Sequence, residues 1–448
     1  MLSKAVLYVK LVCIFARIMG GEIRRLLRFR RVRNQAKKTG STPSGERTHN
    51  IVVIGASFAG HYAARILARS LPPDSTHRVV VVEPNSHFQF TWVLPRFCVV
   101  PHGHEHKAFV PYGRYADAVD GALHWIRGRA ARITASDVVL QDTGESIPYQ
   151  YLVIATGAAV QSGLPSRVNN TDKSEGVELL RAMQQRIARA ETVVVVGGGA
   201  AGVEVATDAK SLYPDKHIIL VHSRAAPMHR FGKELQTAAM EGLTRLEVEV
   251  ILEDRVIEED DVNGTVTLKS GRKIDCGCFI NCTGQKPNSS ILSTLSPASI
   301  SSSGYIKVKP SLQLVDEAFQ NIYSCGDVTD TDVPTPNARS AMAQSIVAAE
   351  NILLAIEGKK PQHEYRHSWP ESFIKLTLGL VSVDLRGRIG QLLTAYQDRS
   401  VSHLSDGKCD ILFRSKEKKE ELMAAQCWKS LGQVPYEDDY MQQKLESA

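Results

Sequence analysis

The sequence predicts an α/β protein with two separate parallel sheets, because two short apolar runs each lead into a glycine-rich turn. The first run and turn read IVVIGASFAG, from Ile51 to Gly60, and the second read VVVVGGGAAG, from Val193 to Gly202. A helix-forming segment and another apolar strand follow each turn, which is typical of a β-α-β unit. At 448 residues, the chain is long enough for two or three domains.

Composition and charge are those of a globular protein with a basic amino-terminal arm. The chain is 43% hydrophobic and 23% charged, with a net charge of +6. Residues 1–38 contain eleven Lys or Arg and one acid, so the rest of the chain carries a net charge of −4. Nucleic-acid-binding domains spread basic charge over a folded face. The mildly acidic body therefore argues against nucleic acid as a partner.

The eight cysteines do not predict a disulfide framework or a metal site. Their spacing is irregular, and a chain of this length does not need disulfides to fold. Cys276, Cys278 and Cys282 lack the paired spacing of zinc ligands. They lie in IDCGCFINCTG, which we interpret as a buried strand, since free cysteine is often buried.

The amino-terminal arm, residues 1–48, combines an apolar segment with a basic one. The apolar part is interrupted by Lys10 and Arg17, so it falls short of the roughly 20 apolar residues that a spanning helix needs. Two interpretations stay open, a mitochondrial presequence and an amphipathic helix on an anionic membrane surface. The predicted location is membrane-associated or mitochondrial, with a cytoplasmic location as the alternative. Residues 37–50 have the composition of a flexible linker.

The first turn has the residues that a dinucleotide-binding turn needs. Gly55 permits the tight turn and Gly60 allows the helix to pack closely on the strand, while the small Ser57 stands in place of the middle glycine. The next strand ends at Glu83, 23 residues after Gly60, where an acid accepts hydrogen bonds from ribose hydroxyls. The phosphates would lie at the helix amino terminus.

The second turn repeats the pattern with Gly197, Gly199 and Gly202, but no acid follows. His222 stands 20 residues after Gly202, with Arg224 close behind. These side chains would tolerate or attract a ribose 2′-phosphate, which a glutamate would repel. The second nucleotide is therefore expected to be NADH or NADPH.

Three further fragments follow apolar strands in the order that two nucleotide domains require. They are Thr156-Gly157 after YQYLVI, Thr283-Gly284 after CFINC, and Gly326-Asp327 after FQNIYSC. An acid at the last position can reach a ribityl hydroxyl or an ordered pyrophosphate water. Two nucleotides in one chain suggest a resident redox cofactor and a diffusing electron donor.

In this order, the motifs resemble those of two-dinucleotide-binding-domain flavoproteins, the pyridine nucleotide-disulfide oxidoreductase superfamily. EPNSHFQFTWVLPRF and VEVATDAKSLYPDKHIILVHSR are most similar to the fungal-type apoptosis-inducing-factor homologues and the ferroptosis suppressor group, over residues 48–400. The resemblance implies two Rossmann-like domains, for FAD and NAD(P), and a C-terminal α+β interface domain. The implied boundaries are 49–160 and 285–335 for FAD, 161–284 for NAD(P)H and 336–448 for the interface domain.

The resemblance also implies which residues bind and react. For FAD they are Gly55, Ala56, Ser57, Phe58, Ala59, Gly60, Glu83, Arg96, Ala131, Thr156, Gly157 and Asp327. For NADH or NADPH as co-substrate they are Gly197, Gly199, Gly202, His222, Arg224 and Gly284. Glu204 is placed beside the nicotinamide as a catalytic residue, although an acid near a helix start also suits the helix dipole. Lys375 is a second catalytic candidate, which could neutralise the reduced flavin or simply lie on a strand face.

The implied activity is hydride transfer from NAD(P)H through FAD to a quinone-like acceptor. Residues 57–100 contain only Cys98, so a redox-active cysteine pair beside the first turn is not predicted. The acceptor site is expected in the C-terminal part, near the start of a helix at 338–357 and near Trp369 and Phe373. Residues 414–432 are predicted to form a solvated helix with Trp428 on its buried side.

Other functions stay open from the sequence alone. A flavin-dependent tailoring oxidoreductase of small-molecule biosynthesis would have a compact apolar pocket in place of a quinone site. An apoptosis-related, flavin-bearing signalling protein would need a partner surface, and the acidic body argues against DNA as that partner. A pseudo-enzyme is disfavoured by the intact phosphate turns.

Overall fold

The computed structural model describes residues 2–38, 47–101, 103–113, 118–160, 162–386, 392–405, 410–417 and 422–438. Its parallel sheets, covered by helices, confirm the predicted α/β class. Cys409 and the last ten residues of the predicted interface domain lie outside the described residues. The helices are Leu2–Lys38, Phe58–Ser70, Leu94–Phe97, Lys173–Arg189, Ala200–Leu212, Lys233–Arg245, Ala338–Ile356 and Ala424–Ser430.

The first sheet has five parallel strands, with the strand before the first glycine turn at its centre. Val52 and Val53 on this strand are fully buried, as expected for a parallel sheet that is covered on both faces. One edge strand, Ile322–Ser324, comes from far along the chain, after all strands of the second sheet. In spatial order the strands are Ile322–Ser324, Tyr151–Ile154, His49–Ile54, His77–Glu83 and Leu123–Arg127.

The second sheet has four parallel strands, and the strand before the second glycine turn is again central. Cys278 lies on an edge strand of this sheet and is buried, as predicted, whereas Cys276 and Cys282 lie just outside the strand and are half-buried. In spatial order the strands are Glu249–Leu252, His217–His222, Thr192–Val196 and Cys278–Asn281.

Smaller strands complete the two units, of which the first is built on the five-stranded sheet and the second on the four-stranded sheet. Among the smaller strands, the two-residue strand that follows the first sheet pairs with the one that follows the second sheet, at the point where the chain crosses between the units. The small strands are His87–Gln89, Phe109–Pro111, Ala130–Ile133, Asp137–Leu140, Ser146–Pro148, Ala158–Ala159, Val256–Asp260, Thr265–Leu268, Lys273–Asp275, Lys286–Pro287, Ile306–Lys307 and Thr329–Asp330.

The C-terminal part is an antiparallel sheet of strands Ile374–Arg386, Leu392–Ser405 and Asp410–Glu417. The predicted helix over residues 414–432 is wrong in its first part, because Arg414 pairs with Val401 in this sheet. Strand pairing here outweighs the local helix preference of the charged residues. The helix begins only at Ala424, and its Trp428 is fully buried, as predicted.

Within the amino-terminal arm, one helix of 37 residues extends over Leu2–Lys38. Residues 39–46 of the predicted linker lie outside the described residues. The second half of the helix packs against helix Phe58–Ser70 of the first unit. Within the described part of the chain, no helix combines the length and the apolar character that crossing a bilayer would require.

Candidate functional site

The first glycine turn is built so that only glycine fits at its two ends. Gly55 has a φ of +91°, and a Cβ there would lie 2.5 Å from the carbonyl oxygen of Ala155. A Cβ on Gly60 would lie 1.8 Å from the carbonyl oxygen of Gly55. The next helix begins after Ser57, whose side chain makes no capping hydrogen bond. The first backbone N–H groups of the helix are therefore available to an anion such as a diphosphate.

Glu83 closes this turn from the neighbouring strand. Its carboxylate accepts the backbone N–H of Ala56 at 2.5 Å and that of Asn85 at 2.8 Å. Burial raises the pKa of Glu83, and these hydrogen bonds oppose that rise. The predicted ribose-binding acid thus lies at the mouth of the phosphate turn, where an adenosine ribose would follow the diphosphate.

The second glycine turn has the same construction. Gly197 has a φ of +110°, and a Cβ there would lie 2.8 Å from Cγ2 of Thr283. A Cβ on Gly202 would lie 1.9 Å from the carbonyl oxygen of Gly197. At Gly199, in contrast, no atom lies within 4 Å of a Cβ. Gly199 therefore borders open space, which the close approach of a pyrophosphate requires.

His222 closes the second turn as Glu83 closes the first. Its Nδ1 accepts the backbone N–H of Gly198 at 3.0 Å, which assigns the ring hydrogen to Nε2. Nε2 then donates to Nδ1 of His229 at 3.2 Å. Burial, followed by the charges of His229 and Arg224, lowers the pKa of His222. The second turn is consequently closed by a neutral imidazole, with exposed Arg224 nearby.

The segments that follow strands Tyr151–Ile154 and Cys278–Asn281 contact each other directly. Gly157 and Gly284 both have positive φ, and a Cβ on either would meet no atom within 4 Å. The backbone N–H of Asn288 donates to the carbonyl of Gly157 at 2.9 Å. Thr156 Oγ1 donates to the carbonyl of Asn288 at 2.7 Å. The chain just after Gly284 is thus held against Thr156 and Gly157.

Asp327 lies on the wall of a cavity of about 170 Å³. Its carboxylate is 3.2 Å from the guanidinium of Arg167. Burial raises the pKa of Asp327, and Arg167 opposes the rise. The preceding Gly326 donates its N–H to Gln344 at 2.7 Å, which ties this turn to helix Ala338–Ile356. Sequence reasoning missed Arg167, which carries no motif.

Arg96 forms a buried bidentate ion pair with Asp208. Its Nε is 2.5 Å and its Nη2 is 3.1 Å from the two carboxylate oxygens, and both side chains are almost fully buried. Arg96 belongs to the first unit and Asp208 to helix Ala200–Leu212 of the second. This ion pair therefore joins the two units, a role that the sequence prediction for Arg96 did not include.

Glu204 lies one turn before Asp208 on the same helix. Its carboxylate accepts the backbone N–H of Thr377 at 3.0 Å, which connects the helix to the C-terminal sheet. Burial raises the pKa of Glu204 to about 7, and nearby Asp208 adds to the rise. Glu204 can therefore hold or release a proton near neutral pH.

Aromatic and cationic side chains meet at the start of helix Ala338–Ile356. The guanidinium of Arg339 lies 4.8 Å from the ring centre of Phe373 and 5.7 Å from that of Trp92. Arg339 also donates to the carbonyl of Phe373 at 2.7 Å. Burial lowers the pKa of Arg339. The sequence pointed to Phe373 but gave no signal for Trp92 or Arg339.

The remaining candidates are placed as follows. Lys375 lies half-buried on strand Ile374–Arg386, and Ala131 is an exposed residue at an irregularity in strand Ala130–Ile133. Cys98 is a free, buried cysteine whose thiol pKa is raised well above its usual value by burial. Within the described residues, no group of acids, histidines and cysteines is arranged to hold a metal ion.

Comparison with known proteins identifies the family. Residues 49–350 match the family described as pyridine nucleotide-disulphide oxidoreductase. The chain is 34% identical over 378 residues to Fe-regulated protein 8 of Mycosarcoma maydis, and the alignment covers 77% of this chain and 90% of that protein. It is 28% identical over 410 residues to ferroptosis suppressor protein 1 of Taeniopygia guttata, and this alignment covers 88% of this chain and 99% of that protein.

A solved structure supports the fold. The sulfide:quinone oxidoreductase of Aquifex aeolicus superposes with a TM-score of 0.61 over 86% of this chain and 90% of that chain, at 16% sequence identity. The predicted resemblance and fold are therefore confirmed. The chain belongs to the pyridine nucleotide-disulphide oxidoreductase family, and it is an FAD-dependent NAD(P)H oxidoreductase.

Proposed function

We propose that the first glycine turn holds FAD, that the second holds NADH or NADPH, and that the final acceptor is a quinone-like molecule. One observation carries this assignment. The two turns lie at the carboxyl ends of two parallel sheets, and strands Ala158–Ala159 and Lys286–Pro287 pair directly where the chain leaves those sheets. Ligands of such sheets bind beyond the carboxyl ends of the strands, so two dinucleotides bound there would have adjacent ends.

The residues of the first unit suit FAD, which supplies the hydride-accepting and electron-donating chemistry when bound. The turn from Gly55 to Gly60 would receive the diphosphate, Glu83 the adenosine ribose, and Asp327 the ribityl chain. Thr156 and Gly157 would lie beside the ring system. Arg96 would act through its ion pair with Asp208, by holding the two units in register.

The second unit suits a nicotinamide nucleotide that binds and dissociates in each catalytic cycle. Gly197, Gly199 and Gly202 would form its phosphate turn, and Gly284 would lie at the open end of the strand beside the nicotinamide. His222 and Arg224 place no negative charge near the adenosine ribose, so either NADH or NADPH could be accommodated. Glu204 would hold a proton close to the nicotinamide end, in line with its pKa of about 7.

The acceptor would be a small molecule rather than a dithiol. Cys98 is buried with a raised thiol pKa, and thiolates rather than thiols are the reactive form. The cluster of Trp92, Arg339 and Phe373 offers flat apolar faces beside a cation, which suits a quinone ring with polar oxygens. Lys375, two residues after Phe373, could stabilise negative charge that develops during reduction.

The basic amino-terminal helix supports contact with a membrane surface, and we place the protein at a membrane. Contact with a membrane and location at a membrane are both part of this proposal. A quinone-like acceptor with a long apolar tail would be found in that environment.

A steady-state assay with a short panel of quinones and both nicotinamides tests the proposed function. We expect purified protein to oxidise NADH or NADPH with kcat/KM above about 10⁴ M⁻¹ s⁻¹, which is ordinary for enzymes, for at least one quinone. Turnover with none of the quinones would contradict the acceptor assignment. Failure to oxidise either nicotinamide with any acceptor dye would contradict the whole proposal.

A further inference from the structure

Helix Leu2–Lys38 has one face packed on the protein and another face of large apolar side chains in solvent. Arg25, Phe29 and Val32 on the packed face are each at most 7% exposed. We call the exposed set the apolar stripe. Its members are 40–67% exposed, and they are Val9, Val12, Phe15, Met19, Ile23, Leu26 and Leu27.

The spacing of the apolar stripe keeps it on one side of the helix. From Val9 to Leu26, consecutive members are separated by three or four residues. At about 100° per residue, the stripe occupies an arc of about 120°, and at 1.5 Å per residue it extends for about 26 Å. Ile18, which is 52% exposed, lies outside this arc. A long apolar face on a helix that is otherwise rich in Lys and Arg is typical of a helix that lies in a membrane surface.

Tertiary contacts on the packed face make the helix an integral part of the folded protein. The guanidinium of Arg69 lies 4.3 Å from the ring centre of Phe29. Arg28 forms an ion pair with Glu350 at 2.7 Å. Val32 packs with two buried residues of the first unit, Val119 and Ala122. Removal of the helix as a presequence would expose these partners, so the contacts favour a helix that is retained.

The contacts between helix Leu2–Lys38 and helix Phe58–Ser70 also show at which edge of the first unit the apolar stripe projects. Glu22 accepts a hydrogen bond from Tyr62, in the second turn of helix Phe58–Ser70, whereas Phe29 lies by Arg69, near the end of that helix. The two helices therefore run parallel. Residues 9–17 consequently project beyond the start of helix Phe58–Ser70, which is the edge that carries the first glycine turn.

Charge identifies the surface that covers the stripe. Residues 1–38 contain eleven Lys or Arg and one acid, and each basic residue near an anionic bilayer contributes about 1 kcal/mol of attraction. We infer that the helix is a retained anchor whose apolar stripe lies in an anionic membrane surface, and that it holds the protein where it can reach an acceptor dissolved in the bilayer. The part of this inference that concerns an acceptor dissolved in the bilayer rests on the proposed function.

Vesicle flotation with the full chain tests the anchor. Vesicles of phosphatidylcholine with about one third phosphatidylserine are compared with pure phosphatidylcholine, for wild type, the double variant Phe15→Asp/Met19→Asp, and Ile18→Asp. Ile18→Asp is the control, since it places an aspartate at an exposed apolar site outside the stripe. We expect wild type and Ile18→Asp to float with the anionic vesicles, and the double variant to lose at least about tenfold in bound fraction.

A second readout separates this inference from the proposed function. With a water-soluble quinone, all three proteins should turn over within about twofold of one another. With a long-chain quinone in anionic vesicles, the double variant should lose about tenfold in rate. Loss of turnover by wild type on both quinones would contradict the proposed function while leaving flotation interpretable.

Three results would overturn the anchor. The first is equal flotation of wild type and the double variant. The second is a stripe-dependent dimer that does not bind vesicles, measured by light scattering, since it would assign the stripe to a second copy. The third is a mature protein from eukaryotic cells whose mass shows that the helix has been removed.

Discussion

The two glycine turns share their backbone but are closed by different side chains. In the first, the N–H of Ala56 donates to the carboxylate of Glu83, and in the second, the N–H of Gly198 donates to Nδ1 of His222. Both acceptors end the strand beside the turn, so they hold the same place in their units. The backbone thus needs an acceptor there, whereas the charge of that acceptor is free to suit the nucleotide.

Under the proposed assignment, the difference in charge accompanies a resident cofactor in the first unit and a visiting one in the second. A carboxylate beside the ribose adds strong hydrogen bonds to its hydroxyls, which suits a nucleotide that stays bound. A neutral imidazole closes the turn without a negative charge that would repel a 2′-phosphate. The four predictions that follow test this comparison, from the largest expected effect to the smallest.

Gly60→Ala and Gly202→Ala should each disable one unit. The new methyl group would lie 1.8 Å from a carbonyl oxygen in the first turn and 1.9 Å from one in the second, so the backbone must move. We expect Gly60→Ala to lose bound flavin and Gly202→Ala to retain it with a rise of at least about tenfold in the KM for NAD(P)H. Flavin absorbance and steady-state kinetics measure the two effects. Loss of flavin from both variants alike would contradict separate roles for the turns.

Asp208→Ala should lower the free energy of unfolding by about 3–5 kcal/mol, the cost of leaving a buried charge such as Arg96 without its partner. Glu241→Ala is the control, because Glu241 pairs with Arg414 on the surface, where ion pairs contribute about 0–1 kcal/mol. Denaturant unfolding of both variants measures the difference. Equal stability of the two variants would show that the ion pair between the units contributes little.

Glu204 should make the second unit sensitive to pH. Its pKa is raised from 4.5 to about 7 in the folded protein, so the folded state holds this proton more tightly than the unfolded chain. Stability attributable to Glu204 is therefore highest at low pH and decreases as pH rises from about 4.5 to 7, by roughly 3 kcal/mol at 1.36 kcal/mol per unit. Glu204→Gln should lack this decrease. Parallel profiles of thermal stability against pH for wild type and Glu204→Gln would contradict the assignment.

His222→Glu should convert the second turn to the type of the first. A glutamate could still accept the N–H of Gly198 but would repel a 2′-phosphate, so the ratio of kcat/KM for NADPH over NADH should decrease about tenfold, or 1.4 kcal/mol. His222→Asn, which is neutral and retains an acceptor, should leave the ratio within about twofold. A similar decrease in both variants would indicate lost turn structure rather than charge.

Local motifs explain how much of this structure could be predicted from sequence. The strands, glycines and acid of the first unit follow one another within about 30 residues, and each has a strict steric or hydrogen-bonding requirement. Local requirements of the same kind make the second turn, Thr156-Gly157 and Gly326-Asp327 recognisable in the sequence. The helix at 338–356 was also found, and its side-chain cap at Asn337 is a local signal.

Contacts between distant segments could not be predicted. The partners Arg96 and Asp208 are separated by 112 residues, and Glu204 and Thr377 by 173. No pattern near any of these residues specifies its partner. Arg339 and Trp92 likewise meet only because helix Ala338–Ile356 packs beside the first unit. The strand at 414–417 was mistaken for helix because its charged residues favour helix until a neighbouring strand is present.

Anaerobic reduction of the purified protein tests most directly that two turns hold two nucleotides. We predict about one FAD per chain, whose absorbance near 450 nm is bleached by about one equivalent of NADH or NADPH in wild type and requires a large excess in Gly202→Ala. Protein that is folded and full-length but contains no flavin, or flavin that neither nicotinamide reduces, would contradict the account.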